Sequence, residues 1–244
     1  MVASGRSRRE GTTVVGADRV LQPAVRGVRR LVGPPALWLR RRVVDEAQDR
    51  MRGTRTARWT ELEELGLAAP DRVRYVPSPW AALGRVLPRR EVSERDVFVD
   101  FGAGMGRVVL AAAGYPFRRV VGVELSAELA EVARRNVERR RDRLVCPDVR
   151  IVACDATEFE VPDDLTVAYF FNPFRGAIFR TVVDRLIASV DASPRVLRIV
   201  YLDPFEERAL LDTGRVRLVR SARGRRPGRE WSRRHSVHLY ELTP

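Results

Sequence analysis

Between residues 96 and 202 the chain alternates short apolar runs with longer stretches in which apolar residues recur every three or four positions. The apolar runs predict buried strands and the longer stretches predict amphipathic helices. Strands that alternate with helices indicate an α/β domain with a mostly parallel, doubly wound sheet. The predicted strands are 96–101, 120–124, 149–154, 165–171 and 196–202, and the predicted helices are 107–114, 127–141 and a third that ends near residue 190.

The C-terminal segment follows a different pattern. Residues 216–221 and 236–242 are strand-like, and no clear helical pattern separates them. They predict a terminal antiparallel hairpin, joined by the basic loop 223–235. With the five earlier strands, this gives a seven-stranded sheet in one domain that spans residues 71–244.

Residues 1–70 lack the alternation and predict a helical N-terminal extension, either a lid or an arm for a partner. The first 16 residues or so mix Gly, Ser, Thr and Arg and predict a flexible terminus. Two short basic helices are expected over residues 17–42. A longer helix is expected over residues 43–65, ending at Gly66, because glycine commonly follows the last turn of a helix.

Composition predicts a cytoplasmic globular protein, since 45% of the 244 residues are hydrophobic and 32% are charged. No apolar run reaches the roughly 18 to 20 residues that span a bilayer. Cys146 and Cys154 suggest neither a disulfide framework nor a zinc cluster. His235 and His238 have no partner carboxylate in register, so no metal site is expected.

The net charge of +13 comes entirely from arginine, because all 45 basic residues are Arg. Residues 1–58 hold 14 arginines against five acidic residues, and residues 214–235 hold nine against one. The rest of the chain is mildly acidic. The two basic flanks would form a patch for an anionic partner such as a nucleic acid, or a solvated surface.

The glycine turn after the first strand is the most informative motif. Asp100 is followed by Gly102, Gly104 and Gly106. Glycines let the backbone approach a ligand closely and expose amides near a helix N-terminus. A dinucleotide-binding turn has the spacing G-x-G-x-x-G, whereas this turn is G-x-G-x-G, which argues against an NAD site.

Two further acidic residues end neighbouring strands. Glu124 ends the second strand, where a carboxylate can accept both hydroxyls of a ribose, and Asp155 follows the third. Ligands of parallel sheets bind at the carboxyl ends of the strands. Together with Asp100 and the glycines, these acids therefore predict one site.

This set of motifs resembles the Rossmann-like class I methyltransferases that depend on S-adenosylmethionine, over about residues 75–244. The resemblance implies that the glycine loop and Asp100 hold the methionine end of the cofactor. It also implies that Glu124 binds the ribose and that Asp155 contacts the adenine amine. A plain role for Asp155 as a helix N-cap stays open.

Residues 75–80 read Tyr-Val-Pro-Ser-Pro-Trp and predict an extended stretch that leads into a short helix through Leu87. With the glycine loop and the Asn-Pro-Phe turn at 172–174, this stretch resembles a group of bacterial methyltransferase-domain proteins. The resemblance implies that it lies over the cofactor, with Tyr75 as a contact.

Asn172, Pro173 and Phe174 end the fourth predicted strand and resemble the Asn-Pro-Pro-aromatic loop of amino-methyltransferases, shortened by one proline. They also resemble the asparagine loop of non-SET histone lysine methyltransferases. The resemblance implies that the Asn172 side-chain oxygen and the Pro173 carbonyl accept hydrogen bonds from a target nitrogen, with Phe174 as an aromatic wall. The alternative is a strand-ending turn capped by Asn172.

Methyl transfer from a sulfonium is an in-line displacement in which positioning supplies much of the acceleration. A neutral amine needs little basic help, whereas a hydroxyl needs a base, and no histidine stands near the predicted methyl exit. A nitrogen of a protein side chain, a peptide or a small metabolite is therefore the favoured acceptor. A structured-RNA methyltransferase, a small-molecule O-methyltransferase and a binding module without activity stay open as alternatives.

Overall fold

The computed structural model describes residues 42–223 and 236–244. The chain forms two compact units, residues 1–46 and 47–244. In the first unit, the described residues 42–46 are helical. None of the described helices is long and apolar enough to cross a membrane. The predicted domain boundary at residue 70 stays a prediction.

The second unit holds seven strands and six α-helices in its described part, which confirms the predicted Rossmann-like α/β class. In chain order the elements are α1 (47–52), α2 (Ala82–Val86), β1 (Val97–Phe101), α3 (Arg107–Ala113), β2 (Arg119–Glu124), α4 (Ala127–Arg140), β3 (Asp148–Ala153), β4 (Val167–Phe170), α5 (Gly176–Ala192), β5 (Leu197–Leu202), α6 (Glu207–Leu211), β6 (Val216–Arg223) and β7 (Ser236–Leu242).

The sheet has the order β3-β2-β1-β4-β5-β7-β6. The first five strands in this order are parallel, and β7 pairs antiparallel with both β5 and β6. The predicted terminal hairpin is therefore confirmed. The chain reverses its winding direction between β1 and β4, which is where open parallel sheets form a ligand crevice.

The core has two apolar layers, one on each face of the sheet. Helices α2 and α3 cover one face and α5 and α6 cover the other. All five residues of β1 are buried, as expected for a central strand with both faces covered. Aromatic rings join the strands, and Phe101 stacks on Phe170 with ring centroids 5.0 Å apart. This packing gives the strand ends a rigid base.

The helix predicted over residues 43–65 is wrong in its extent, because the helical run ends at residue 52. Gly53 has a φ of 65°, a left-handed conformation that stops a helix. The Asp49 carboxylate then accepts hydrogen bonds from the Thr56 hydroxyl at 2.7 Å and from its amide. Such side-chain bonds to nearby residues compete with helix formation.

Other local predictions have mixed outcomes. Ser126 caps α4 as predicted, since its hydroxyl accepts from the Leu129 amide at 3.2 Å. Helix α6 was not predicted from the sequence, because its five residues are too few to show a periodic pattern. The helices expected over 17–42 lie almost entirely outside the described residues, as does the loop at 224–235.

Candidate functional site

A pocket lies at the carboxyl ends of β1, β2 and β4, under the segment of residues 71–78, here called the strap. It encloses about 900 Å³ when its solvent-filled mouth is included. Open parallel sheets bind ligands at this edge. Seven of the ten predicted site residues line this pocket, and Gly104 and Gly106 belong to the same glycine loop as the lining residue Gly102. The tenth, Asn172, is not among the lining residues.

The glycine loop fits closely against two other segments. A Cβ atom added to Gly104 would lie 2.0 Å from the Tyr75 ring, and one added to Gly102 would lie 2.2 Å from the Pro173 Cβ. Gly102, Gly104 and Gly106 have φ angles of 79°, 54° and 83°, which side-chain-bearing residues rarely adopt. The loop, the strap and the turn at 172–174 therefore converge only because these positions carry no side chain.

Glu124 is the residue that braces the loop. It is 8% exposed, and its two carboxylate oxygens accept from the Gly104 amide at 2.6 Å and the Ser126 amide at 2.9 Å. Burial raises the pKa of Glu124, and these amide bonds oppose the rise. Each oxygen keeps a second lone pair, so the carboxylate can still accept a pair of hydroxyls.

Asp100 lines the pocket beside Glu124 and is 3% exposed. Burial raises the pKa of Asp100 well above its ordinary value, and the negative charge of Glu124 adds to the rise. Two neighbouring buried carboxylates are costly unless a cation joins them. This end of the pocket therefore favours a positively charged ligand.

Asp155 follows β3 and also lines the pocket. Its carboxylate accepts from the Thr157 amide at 2.9 Å, from the Thr157 hydroxyl at 2.7 Å and from Arg72 of the strap at 3.3 Å. Burial raises the pKa of Asp155, but the bonds from Thr157 and the charge of Arg72 outweigh it and leave the pKa below its ordinary value. Asp155 thus caps a turn rather than a helix, because the described residues 154–166 between β3 and β4 form no helix, and it also lines the pocket. Its contact with the adenine amine stays a prediction.

The strap is tied to its neighbours by backbone bonds. The Val73 amide donates to the Pro173 carbonyl at 3.3 Å, and the Arg175 amide donates to the Asp71 carbonyl at 2.8 Å. The Tyr75 hydroxyl donates to the Thr56 carbonyl at 2.9 Å. Burial raises the pKa of Tyr75, so its hydroxyl stays neutral while its ring covers the glycine loop.

Arg107 also lines the pocket, and sequence reasoning missed it. It begins α3 directly after the glycine loop and is 2% exposed. Its guanidinium donates to the Thr56 hydroxyl at 2.7 Å and to the Ser78 carbonyl at 3.2 Å, and it lies 3.7 Å from Asp49. A charged residue at the head of an otherwise apolar helix was the available signal. This arginine anchors two segments that enclose the pocket.

The turn at 172–174 is built differently from its prediction. Asn172 has a φ of 45°, and its side-chain oxygen accepts from the Tyr201 hydroxyl at 2.9 Å and the Phe205 amide at 3.2 Å. Its amide nitrogen donates to the Asp203 carbonyl at 2.7 Å. Asn172 thus joins the loops after β4 and β5.

Pro173 and Phe174 do line the pocket, and Phe174 is buried. The Pro173 carbonyl accepts the strap amide described above. Sequence reasoning missed the partners of Asn172, although Asp203-Pro204-Phe205 repeats the Asn-Pro-Phe spacing at the end of the next strand. Like Asn172, Asp203 has a positive φ, of 50°.

Of the cysteines and histidines considered in the sequence, His235 lies outside the described residues. Cys146 and Cys154 are free, and Cys154 lines the pocket. His238 contacts Glu207 and the Tyr240 hydroxyl, each at 2.9 Å. Within residues 42–223 and 236–244, no group of three His, Cys, Asp or Glu side chains has a geometry that could hold a metal ion.

Part of the chain is similar to known proteins. A family described as a methyltransferase domain matches residues 98–199. A curated protein-lysine N-methyltransferase of Saccharolobus islandicus (strain REY15A) is 37% identical over 68 residues, which are 28% of this chain. The match spans 42% of that relative's length.

Two solved structures have similar backbones. An RNA methyltransferase from Salinibacter ruber, in complex with S-adenosyl-L-homocysteine, is 25% identical with a TM-score of 0.48, and the match covers 69% of this chain and 94% of that one. A precorrin 8W decarboxylase of Methanobacterium thermoautotrophicum is 22% identical with a TM-score of 0.49, and the match covers 72% and 100%.

Proposed function

The chain carries a class I methyltransferase domain that depends on S-adenosylmethionine, and on that premise we propose that it methylates the side-chain amine of lysine in a protein or peptide. The observation that carries the proposal is the pocket itself. Carboxylates that favour a cation and aromatic side chains line the same pocket.

The residues around the glycine loop fit the cofactor. S-adenosylmethionine carries a positive sulfonium and a positive ammonium group, and Asp100 is the buried carboxylate that such charges would stabilise. Glu124 keeps lone pairs for two ribose hydroxyls, and Asp155 stands where it can accept from an amine. When bound, the cofactor supplies an activated methyl group with a neutral thioether as leaving group.

The aromatic part of the pocket lining suits an amine acceptor. Tyr169, Phe171 and Phe174 are among the lining residues, and these residues include no histidine. Burial raises the pKa of Tyr169, so its hydroxyl is a poor base. With Asp100, Glu124 and Asp155 assigned to the cofactor, no carboxylate or histidine of the lining is left as a general base for an oxygen acceptor, whereas a neutral amine needs none.

Apolar walls also help a lysine to react. Desolvation disfavours the charged form of an amine, so a lysine side chain that enters this wall loses its proton more readily. The curated relative is a protein-lysine N-methyltransferase, and its matched segment supports the same acceptor class here.

The test uses methyl-labelled S-adenosylmethionine with a lysine-containing peptide and with the same peptide carrying arginine in place of lysine. We expect label in the first peptide only, with its position read by mass spectrometry. Glu124→Gln should lose the activity, whereas Glu128→Gln, at an exposed position of α4, should keep it. Label recovered in added RNA, or in a hydroxyl group, would contradict the proposed acceptor.

A further inference from the structure

A second cavity lies on the helix-covered face of the sheet, outside the site described above. It encloses about 600 Å³, with open solvent included, between α1, α2, α3 and the end of α4. Its lining includes no acidic side chain. The wall includes two arginines, two aromatic rings and two leucines, namely Arg52, Arg140, Trp80, Tyr115, Leu83 and Leu110.

The arginines that line this cavity form no ion pair within the part of the chain that the structure describes. Among the described residues, no ion pair involves Arg52, Arg140 or the neighbouring Arg143, although many other arginines form one. Burial and the charges of Arg143 and Arg52 lower the pKa of Arg140. Like charges gathered in a cleft raise the local concentration of anions.

The arginines are also held in place. Arg140 donates to the Arg52 carbonyl at 2.7 Å, and the Arg52 guanidinium lies 4.6 Å from the centre of the Trp80 ring. The cavity therefore brings two positioned guanidinium groups together beside an aromatic ring.

We propose that this cavity binds a dianionic phosphate group, carried either by free orthophosphate or by a nucleoside monophosphate. A guanidinium matches phosphate oxygens with paired hydrogen bonds. A phosphate monoester carries a charge of about −1.5 to −2 at neutral pH, which suits two or three unbalanced arginines better than the single charge of a carboxylate or a phosphodiester. The proposal is independent of the methyl acceptor.

Thermal unfolding tests whether the cavity binds phosphate. Orthophosphate or adenosine monophosphate is added at an ionic strength that is held constant with chloride. At a hundredfold excess over Kd we expect the Tm to rise by about 5 °C or more. Arg140→Gln should abolish the rise. Arg139→Gln, an exposed arginine on the same helix, should keep it and controls for nonspecific effects of salt.

A second variant guards against misfolding. Arg143 is exposed, so Arg143→Gln should fold normally and weaken phosphate binding by about threefold to tenfold in calorimetry. Equal affinity for the two ligands would assign the site to orthophosphate, and tighter binding of the monophosphate would assign it to a nucleotide. The proposal would be overturned by no rise in Tm, by the same rise in Arg140→Gln, or by a response only to RNA without a terminal phosphate.

Discussion

The two sides of the main pocket achieve rigidity by different means. On the cofactor side, Glu124 holds the Gly104 amide across neighbouring strands and the Ser126 amide two residues along the chain. At the turn 172–174, which we propose to face the acceptor and here call the acceptor side, Asn172 is held by Tyr201 and by the loop after β5. The first arrangement lies within one motif, whereas the second depends on how β4 and β5 pair.

This difference indicates which interactions substitutions can alter independently of one another. The cofactor side can keep its shape as long as β1 and β2 stay paired. The acceptor side is bonded to the loop after β5, so substitutions there can alter turnover without altering cofactor affinity.

The largest effect is expected for Gly104→Ala. The added Cβ would collide with the Tyr75 ring at 2.0 Å, and alanine is strained at a φ of 54°. We expect at least about a 100-fold loss of affinity for S-adenosylmethionine in calorimetry, besides about 1 to 2 kcal/mol lost from the free energy of unfolding. Gly214 also has a positive φ, of 68°, but a Cβ added there would have no atom within 4 Å. Gly214→Ala should therefore lower the free energy of unfolding without changing the affinity for S-adenosylmethionine. Equal affinity losses in the two variants would refute the steric explanation.

Next in size is the effect of Asn172→Gly, which removes the side chain without straining a positive φ. Three hydrogen bonds are lost, so we expect the free energy of unfolding to fall by about 2 to 3 kcal/mol. Turnover should fall by about 10-fold or more, because the aromatic wall loses its support. Cofactor Kd should stay within about threefold. A large change in cofactor Kd would show that the two sides are not separate.

A smaller effect is expected from pH. Burial and the charge of Glu124 raise the folded pKa of Asp100 above its ordinary value of 3.8, so the folded protein holds more protons than the unfolded chain between these two pKa values. The free energy of unfolding should therefore fall as pH rises across that window. Affinity for the cationic cofactor should rise over the same window, because binding favours the ionised carboxylate.

Asp100→Asn provides the control for the pH prediction. It should flatten both profiles, which denaturant unfolding and calorimetry would measure. Stability that rises with pH in the wild-type protein and not in this variant would contradict the assigned direction.

The smallest effect is expected for Tyr75→Phe. It removes the bond to the Thr56 carbonyl and leaves the ring against the glycine loop. We expect a loss of about 0.5 to 1.5 kcal/mol in the free energy of unfolding, with cofactor affinity within about threefold. A tenfold weaker affinity would show that the hydroxyl, rather than the ring, serves the cofactor.

The sequence predicted that Asp100, Glu124 and the glycine loop lie together, because the signals for this arrangement are local. A glycine turn between a strand and a helix, followed by an acid that ends the next strand, specifies both the fold and the position of Glu124. The strand periods likewise predicted the sheet and its terminal hairpin. These patterns carry no information about side-chain hydrogen bonds between segments that are far apart in the sequence.

Three errors or omissions have that origin. The helix over 43–65 was overextended because the Asp49 carboxylate binds residues beyond Gly53. Arg107 was passed over because its partners lie far away in the chain. The contacts of Asn172 follow from the register of β4 with β5, which pairs Phe170 with Tyr201 and is invisible in a single sequence.

The most direct test of the central claim is calorimetric titration of S-adenosylmethionine into the wild-type protein, Glu124→Gln and Glu128→Gln. If the glycine loop and Glu124 form the cofactor site, the wild type and Glu128→Gln should bind alike. Glu124→Gln should bind about 10-fold to 100-fold more weakly, the loss expected when hydrogen bonds to a charged group are removed. Equal binding by all three proteins, or no binding by the wild type, would contradict the assignment.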